Sequence, residues 1–261
     1  MFKIALLQYP ILWADKQANL DATSERIAAL AGKADVALLP EMFTTGFCTD
    51  HPELAEGMDG PTMHTLQHLA DTHHIAIVGS FICQPDPQNH RLVNRGFMVK
   101  PNEPVEYQDK RHLYAHGGED QFFAPAQHRH TFQYQGVRLQ LLICYDLRFP
   151  AWARNLSGND YDILLVVANW PDIRIQYWDY LVAARAIENQ CYIAATNCVG
   201  DDGMGLHYTG HSVAYNTLMQ PIASFEDDEQ GTKIATFDIE RLHHFREVLP
   251  LWKDVDQFQI I

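Results

Sequence analysis

The sequence predicts an α/β protein whose sheets are covered on both faces, and three observations lead there. Short, nearly continuous apolar runs such as Val36-Ala37-Leu38-Leu39, Ile75 to Phe81 and Tyr161 to Asn169 read as strands buried on both sides. Segments with helical spacing alternate with them. Two further regions carry the alternation and turn residues of antiparallel hairpins. No Pro/Gly/Ser-rich linker, composition shift or internal repeat divides the 261 residues, so one domain over residues 1–261 is expected.

Taken in order, Lys3 to Gln8 reads as the first strand. Asp15 is placed to cap a helix ending near Gly32, with Leu20, Thr23, Ile27 and Leu30 on its inner face. The strand Val36–Leu39 stops at Pro40 and delivers Glu41. Pro61 opens a helix with Met63, Leu66 and Leu69 inward. Arg91 to Lys100 and Val105 to Asp109 read as paired strands about a Pro101–Pro104 turn, followed by Lys110 and a Gly117-Gly118-Glu119-Asp120 loop. Thr131 to Tyr134 and Val137 to Ile143 form a hairpin about Gln135-Gly136. Pro150 opens a helix that Trp152 and Leu156 continue. Ile173, Tyr177, Leu181, Ala184 and Ile187 predict a long helix with that face buried. Cys191 to Asn197 is a strand, and Gly200 to Gly210 is a plain glycine-rich loop without the phosphate-binding pattern. Antiparallel strands are expected over 211–216, 221–225 and 233–238, then a helical turn near Arg241 and an extended tail to Ile261.

Composition excludes several function classes. Hydrophobic residues at 47% and charged ones at 20% leave no room for extensive disorder. A formal charge of -14 argues against nucleic acid and anionic membranes as partners. The longest uncharged apolar run, Ile163 to Ala168, is far too short to span a bilayer. With no secretory pattern before or within Lys3–Gln8, a cytoplasmic location is expected. Five cysteines without a C-x-x-C pair predict reduced thiols and no thiolate zinc site. The histidine pairs 73/74, 243/244 and 128/130 lie in polar segments and read as surface residues, so no metal is expected.

Chemistry concentrates around Cys144. The run Leu139 to Ile143 places it on a sharp turn out of a buried strand, where a side chain is exposed at a sheet edge and the following N–H groups can face an oxyanion. A cysteine ending an apolar run is otherwise a small buried hydrophobe. Glu41 and Lys110 also follow apolar strands directly and can meet it at one sheet edge, although alone each could be a cap or a solvated loop residue.

Three stretches in fixed order, Leu39-Pro40-Glu41-Met42-Phe43, Tyr107 to Leu113 and Leu142 to Pro150, resemble the nitrilase (carbon-nitrogen hydrolase) superfamily. Ala168-Asn169-Trp170-Pro171, Ala184 to Asn189 and Asn197 to Gly200 extend the resemblance over most of the chain. It implies a four-layer α-β-β-α sandwich of the nitrilase type and a Glu41-Lys110-Cys144 triad, with Glu41 as base, Lys110 and the Tyr145 N–H as oxyanion donors and Cys144 forming a thioester. Glu119 matches the second glutamate that orients the lysine, against a solvated loop acid. The run Pro40 to Phe47 is similar to the omega-amidase branch, implying hydrolysis of the terminal amide of 2-oxoglutaramate or 2-oxosuccinamate to the 2-oxo acid and ammonia. Arg148 matches that branch's carboxylate-binding arginine, with a structural ion pair as the other reading. Arg174 stands as a second contact, and Phe43 and Trp170 as pocket walls or core. The resemblance implies no cofactor, a small carboxylated amide substrate with water, and a homodimer through the 173–187 helix and the tail of about 247–261. The competing readings are an N-carbamoyl amidohydrolase, an aliphatic amidase or nitrilase, an amidotransferase subunit, and a silent scaffold of the same fold.

Overall fold

The computed structural model of the chain describes residues 1–86, 88 and 91–256. One sheet contains β1 (Phe2–Gln8), β2 (Val36–Leu38), β3 (Ala76–Cys83), β4 (Val93–Val99), β5 (Glu106–Asp109) and β14 (Gly231–Phe237), in the order β14-β1-β2-β3-β4-β5. The other contains β6 (Thr131–Tyr134), β7 (Val137–Ile143), β8 (Ile163–Ala168), β9 (Tyr192–Asn197), β12 (Val213–Tyr215) and β13 (Pro221–Ser224), in the order β13-β12-β9-β8-β7-β6. The centre of each is parallel, β1-β2-β3 in one and β7-β8-β9 in the other, with antiparallel strands outside. A separate hairpin joins β10 (Val199–Asp201) to β11 (His207–Thr209). The helices are α1 (Lys16–Ala28), α2 (Pro61–His73), the single turns α3 (Glu119–Phe122) and α4 (Pro150–Ala153), α5 (Ile175–Asn189) and α6 (Ile239–Val248).

Strand periodicity explains the layering. Ile4, Leu6, Val36 and Leu38 point inward to meet Leu139, Leu141, Ile143, Leu165 and Val167 of the facing sheet. Their neighbours Ala5, Leu7, Ala37 and Leu39 point outward and are covered by Leu20 and Ile27 of α1 and Met63, Leu66 and Leu69 of α2. On the far side Leu164, Val166 and Ile193 are covered by Trp178, Val182 and Ala186 of α5. The result is the four-layer sandwich. Each such side chain contributes about 1.5–3 kcal/mol by leaving water. The sheets come so close at Gly96 that a Cβ there would lie 2.4 Å from Leu141 Cδ2.

Local signals hold in several places. Asp15 caps α1, its Oδ1 accepting the Ala18 N–H at 3.1 Å, though the helix ends at Ala28, short of Gly32. Gln135 and Gly136 both take positive φ, +48° and +78°, as a tight hairpin turn requires.

Four expectations need correction. The turn after Cys144 is a 3-10 helix over Cys144–Arg148 and α4 stops at Ala153, leaving Leu156 exposed, because Arg154 turns extended. The 173–187 helix forms, but its inner face is Trp178, Val182, Arg185, Ala186 and Asn189, while Ile173, Tyr177 and Ile187 are exposed. Trp178 sets this rotation: it is fully buried and donates its Nε1–H to His211 O at 2.9 Å. The Gly200–Gly210 loop is the β10–β11 hairpin. The C-terminal region is the ten-residue α6 and a 3-10 turn over Leu251–Asp254. The tail expected over residues 247–261 lies outside the described residues from 257 onward.

Candidate active site

The C-terminal ends of β2, β5, β7 and β8 meet at one edge where the sheets face each other. Glu41 stands three residues beyond β2, and the turn that aims it is held by Met42 N–H donating to Ser80 Oγ at 3.0 Å and Phe43 N–H to Ser80 O at 3.2 Å. Lys110 directly follows β5, its N–H donating to Asn94 O at 3.0 Å. Cys144 directly follows β7 with φ +46°, a left-handed conformation that costs about 1–3 kcal/mol for a residue with a Cβ. Asp146 holds this strained turn. Its carboxylate accepts N–H groups from Ile143 at 3.3 Å, Arg111 at 3.4 Å and His112 at 2.8 Å. His112 is also bonded through Nδ1 at 2.8 Å and stacks on Phe149 at 3.7 Å, tying the Cys144 turn to the Lys110 loop.

Glu41, Lys110 and Glu119 are buried in direct contact. Lys110 Nζ donates to Glu41 Oε1 at 2.9 Å and lies 2.9 Å from Glu119 Oε2. Asn94 Nδ2 donates to Glu41 Oε1 at 2.8 Å and Glu119 Oε1 at 3.1 Å. Glu119 Oε2 also accepts the Tyr114 N–H at 2.7 Å, and Glu41 Oε2 the Asn169 N–H at 3.0 Å. Cys144 is half-buried, with Sγ 3.9 Å from Asn169 O.

Charge follows from this packing. Burial opposes a charged Lys110, but the Glu119 and Glu41 carboxylates outweigh it and hold the ammonium well above its ordinary range. Burial, then the charge of Glu41, pushes the Cys144 thiol up, with Lys110 opposing. The thiol is therefore protonated at rest, and a base must take its proton as it attacks. Glu119 is raised by burial despite Lys110, with Glu41 adding to the rise.

The cluster opens into a cavity of about 270 Å³ whose wall includes Lys110, Cys144, Tyr145, Arg148, Trp170 and Arg174. The Arg148 guanidinium lies 4.9 Å from the ring centre of Trp170 and 5.2 Å from that of Tyr177, and Arg174 lies 5.7 Å from that of Tyr114. Among the described residues neither arginine has a carboxylate within ion-pair distance, and the side chains of both lie against aromatic rings. These cations are held by aromatic faces and are free to take an anion.

Of the residues singled out in the sequence, Phe43 alone lies away from this group. It is fully buried among Leu20, Met63 and Phe97 on the helix-covered side of the sheet, its ring 6.0 Å from Phe97 and its N–H bonded to Ser80 O. Sequence reasoning missed Asn94 and Asp146, and Leu206 and Tyr208, which reach the cavity from the β10–β11 hairpin. Asn94 carried a usable signal, a polar amide inside a buried strand. Leu206 carried none.

Comparison with known proteins agrees with this geometry. The carbon-nitrogen hydrolase family matches residues 3–247. Omega-amidase YafV of Escherichia coli K12 is 40% identical over 259 residues, covering 99% of this chain and 98% of that one. The 2-oxoglutaramate amidase of Bacillus subtilis 168 is 30% identical over 254 residues, covering 97% and 96%. Among solved structures, XC1258 from Xanthomonas campestris, a CN-hydrolase superfamily protein with an arsenic adduct in its active site, aligns with a TM-score of 0.95 at 36% identity, covering 100% of this chain and 99% of that one.

Proposed function

The chain belongs to the carbon-nitrogen hydrolase family, and within it we propose an omega-amidase, hydrolysing the terminal amide of 2-oxoglutaramate or 2-oxosuccinamate to the 2-oxo dicarboxylic acid and ammonia. One observation carries the substrate class. Two guanidinium groups without carboxylate partners among the described residues share a cavity with Cys144, in a chain whose formal charge is -14. A carboxylate is the ligand that rewards such an arrangement, because a planar guanidinium can bind it through two parallel hydrogen bonds. The names of the 40% and 30% identical relatives support the same choice.

The chemistry proceeds in two halves. Glu41 takes the Cys144 proton as Sγ attacks the amide carbon, and the new oxyanion is received by Lys110 Nζ and the Tyr145 N–H, which sits in the first turn of a helix without an intrahelical acceptor. The proton passes from Glu41 to the amide nitrogen, the C–N bond breaks and ammonia leaves a thioester on Cys144. Glu41 then deprotonates water, which attacks the thioester. The carboxylic acid departs and Cys144 regains its proton. Glu119 orients Lys110, Arg148 takes the substrate carboxylate with Arg174 as second contact, and Trp170 walls the cavity. No step requires a cofactor.

The same reading includes one domain throughout, a cytoplasmic location and a homodimer through α5 and the C-terminal segment. The exposed apolar stripe of Ile173, Tyr177, Tyr180 and Ile187, at 74%, 55%, 73% and 58%, supports the dimer. Among the described residues no helix is long and apolar enough to cross a membrane.

The test is ammonia release from 2-oxoglutaramate, with glutamine, N-carbamoyl alanine and an aliphatic nitrile measured beside it. Release from the oxo acid amide at least about 100-fold faster than from the others is expected. Equal or faster turnover of the carbamoyl compound or the nitrile would replace this reading with another amidohydrolase of the family. No release from any would favour a silent scaffold.

A further inference from the structure

Asn94 is fully buried near the start of β4 and touches all three charged members of the site. Its Nδ2 donates one proton to Glu41 Oε1 at 2.8 Å and the other to Glu119 Oε1 at 3.1 Å. Its backbone oxygen accepts the Lys110 N–H at 3.0 Å. Two buried carboxyl groups share one ammonium here, and two neutral donors on a single atom are what such a pair lacks. The rest of the side chain is poorly provided for. Asn94 Oδ1 is buried and has no hydrogen-bond partner among the described residues. An amide placed for strand stability would not leave its oxygen bare while its nitrogen serves two acids. Turning the amide over would set that oxygen against both carboxylates, so the charges fix its orientation.

We infer that Asn94 is a positioning residue for catalysis: its one amide nitrogen holds Glu41 and Glu119 apart on Lys110, so that the Glu41 carboxylate is fixed in place to take the Cys144 proton. Hydrogen bonds donated to a carboxylate favour the charged form. Asn94 supplies one such bond to each of the two acids. An aspartate at this position would remove both donors and add a third acid. This role rests on Glu41 being the base, as proposed above.

The experiment needs no amide substrate. The rate at which iodoacetamide labels Cys144 is followed by mass spectrometry from pH 5 to 9 in the wild type, Asn94→Ala and Asn94→Ser, with thermal unfolding measured in parallel. The acidic limb of the labelling profile should move to higher pH by about one unit in both variants, and labelling at pH 6 should fall about tenfold. Where the wild type turns over an amide, kcat should fall by at least about tenfold with KM within about threefold. An unmoved acidic limb in folded variants would overturn the assignment. So would failure of both variants to fold, which would make Asn94 a structural residue only. A wild type that labels with the expected pH dependence but hydrolyses nothing would defeat the amidase reading and leave this one standing.

Discussion

Cys144 occupies a backbone conformation that L-residues avoid, at φ +46°, and the cost is offset by Asp146, which gathers N–H groups from both sides of the turn. The same turn exposes Sγ to the cavity while Glu41 and Lys110 remain buried beside it. Lys110 is the keystone of the charges. With Lys110→Ala, Glu41 and Glu119 would face each other with only Asn94 between them and no counter-charge. The variant should lose at least about 10²-fold in kcat and about 3–5 kcal/mol of stability, read from steady-state rates and denaturant unfolding. Activity within tenfold of wild type would deny Lys110 its place at the oxyanion. Glu41, Lys110 and Cys144 were legible in the sequence because each sits in a stretch of fixed order, and Glu41 and Cys144 also follow apolar strands, whereas the strand before Lys110 is the polar Glu106–Asp109. Asn94 carried a signal, a polar amide inside a buried strand, but the strand pattern accounts for β4 without asking what that amide bonds to. Phe43, read as pocket wall or core, is core, since two residues beyond Glu41 its ring packs on Phe97.

Among the elements, α5 shows how a correct helix can be read with the wrong face inward. Its apolar residues fall on two stripes, Trp178-Val182-Ala186 and Tyr177-Tyr180-Ile187, the second extended by Ile173 of the preceding 3-10 turn, and spacing alone does not rank them. Trp178, with its indole bonded to His211 O, and the buried Arg185 take the inner side. The other stripe is left facing out, which is where a second copy is proposed to dock. Tyr180, at 73% exposed, is at its centre and belongs to no core cluster. Tyr180→Glu should therefore convert a dimer to a monomer in sedimentation velocity while changing monomer stability by no more than about 0.5 kcal/mol. A variant that remains dimeric would move the interface elsewhere. The β10–β11 hairpin was illegible for another reason. Gly200, Gly205 and Gly210 all take positive φ, at +91°, +82° and +89°, and their density in sequence hides strands of only three residues each.

At the scale of the whole molecule, two sheets of similar pattern face each other and bring loops far apart in sequence to one edge. The buried strand runs disclosed sheets covered on both faces, and the family resemblance implied the four layers, but neither could assign each strand to its sheet. β14 follows β13 in the chain and yet pairs with β1 across the sandwich, at the register Phe2 with Phe237. That closure is non-local and leaves no mark in a window of sequence. The assembled edge also reverses the molecule's electrostatics. A chain of formal charge -14 places Arg148 and Arg174, free of carboxylate partners among the described residues, around the cavity that holds Cys144. The central claim is that this local positive charge selects a carboxylated amide. Its most direct test is kcat/KM for 2-oxoglutaramate and for an uncharged amide of equal length, in the wild type and in Arg148→Ala. The preference for the charged substrate should fall by about 30- to 200-fold in the variant, equivalent to about 2–3 kcal/mol, while turnover of the uncharged amide stays within about threefold of wild type. An equal loss on both substrates, or none on either, would contradict the claim.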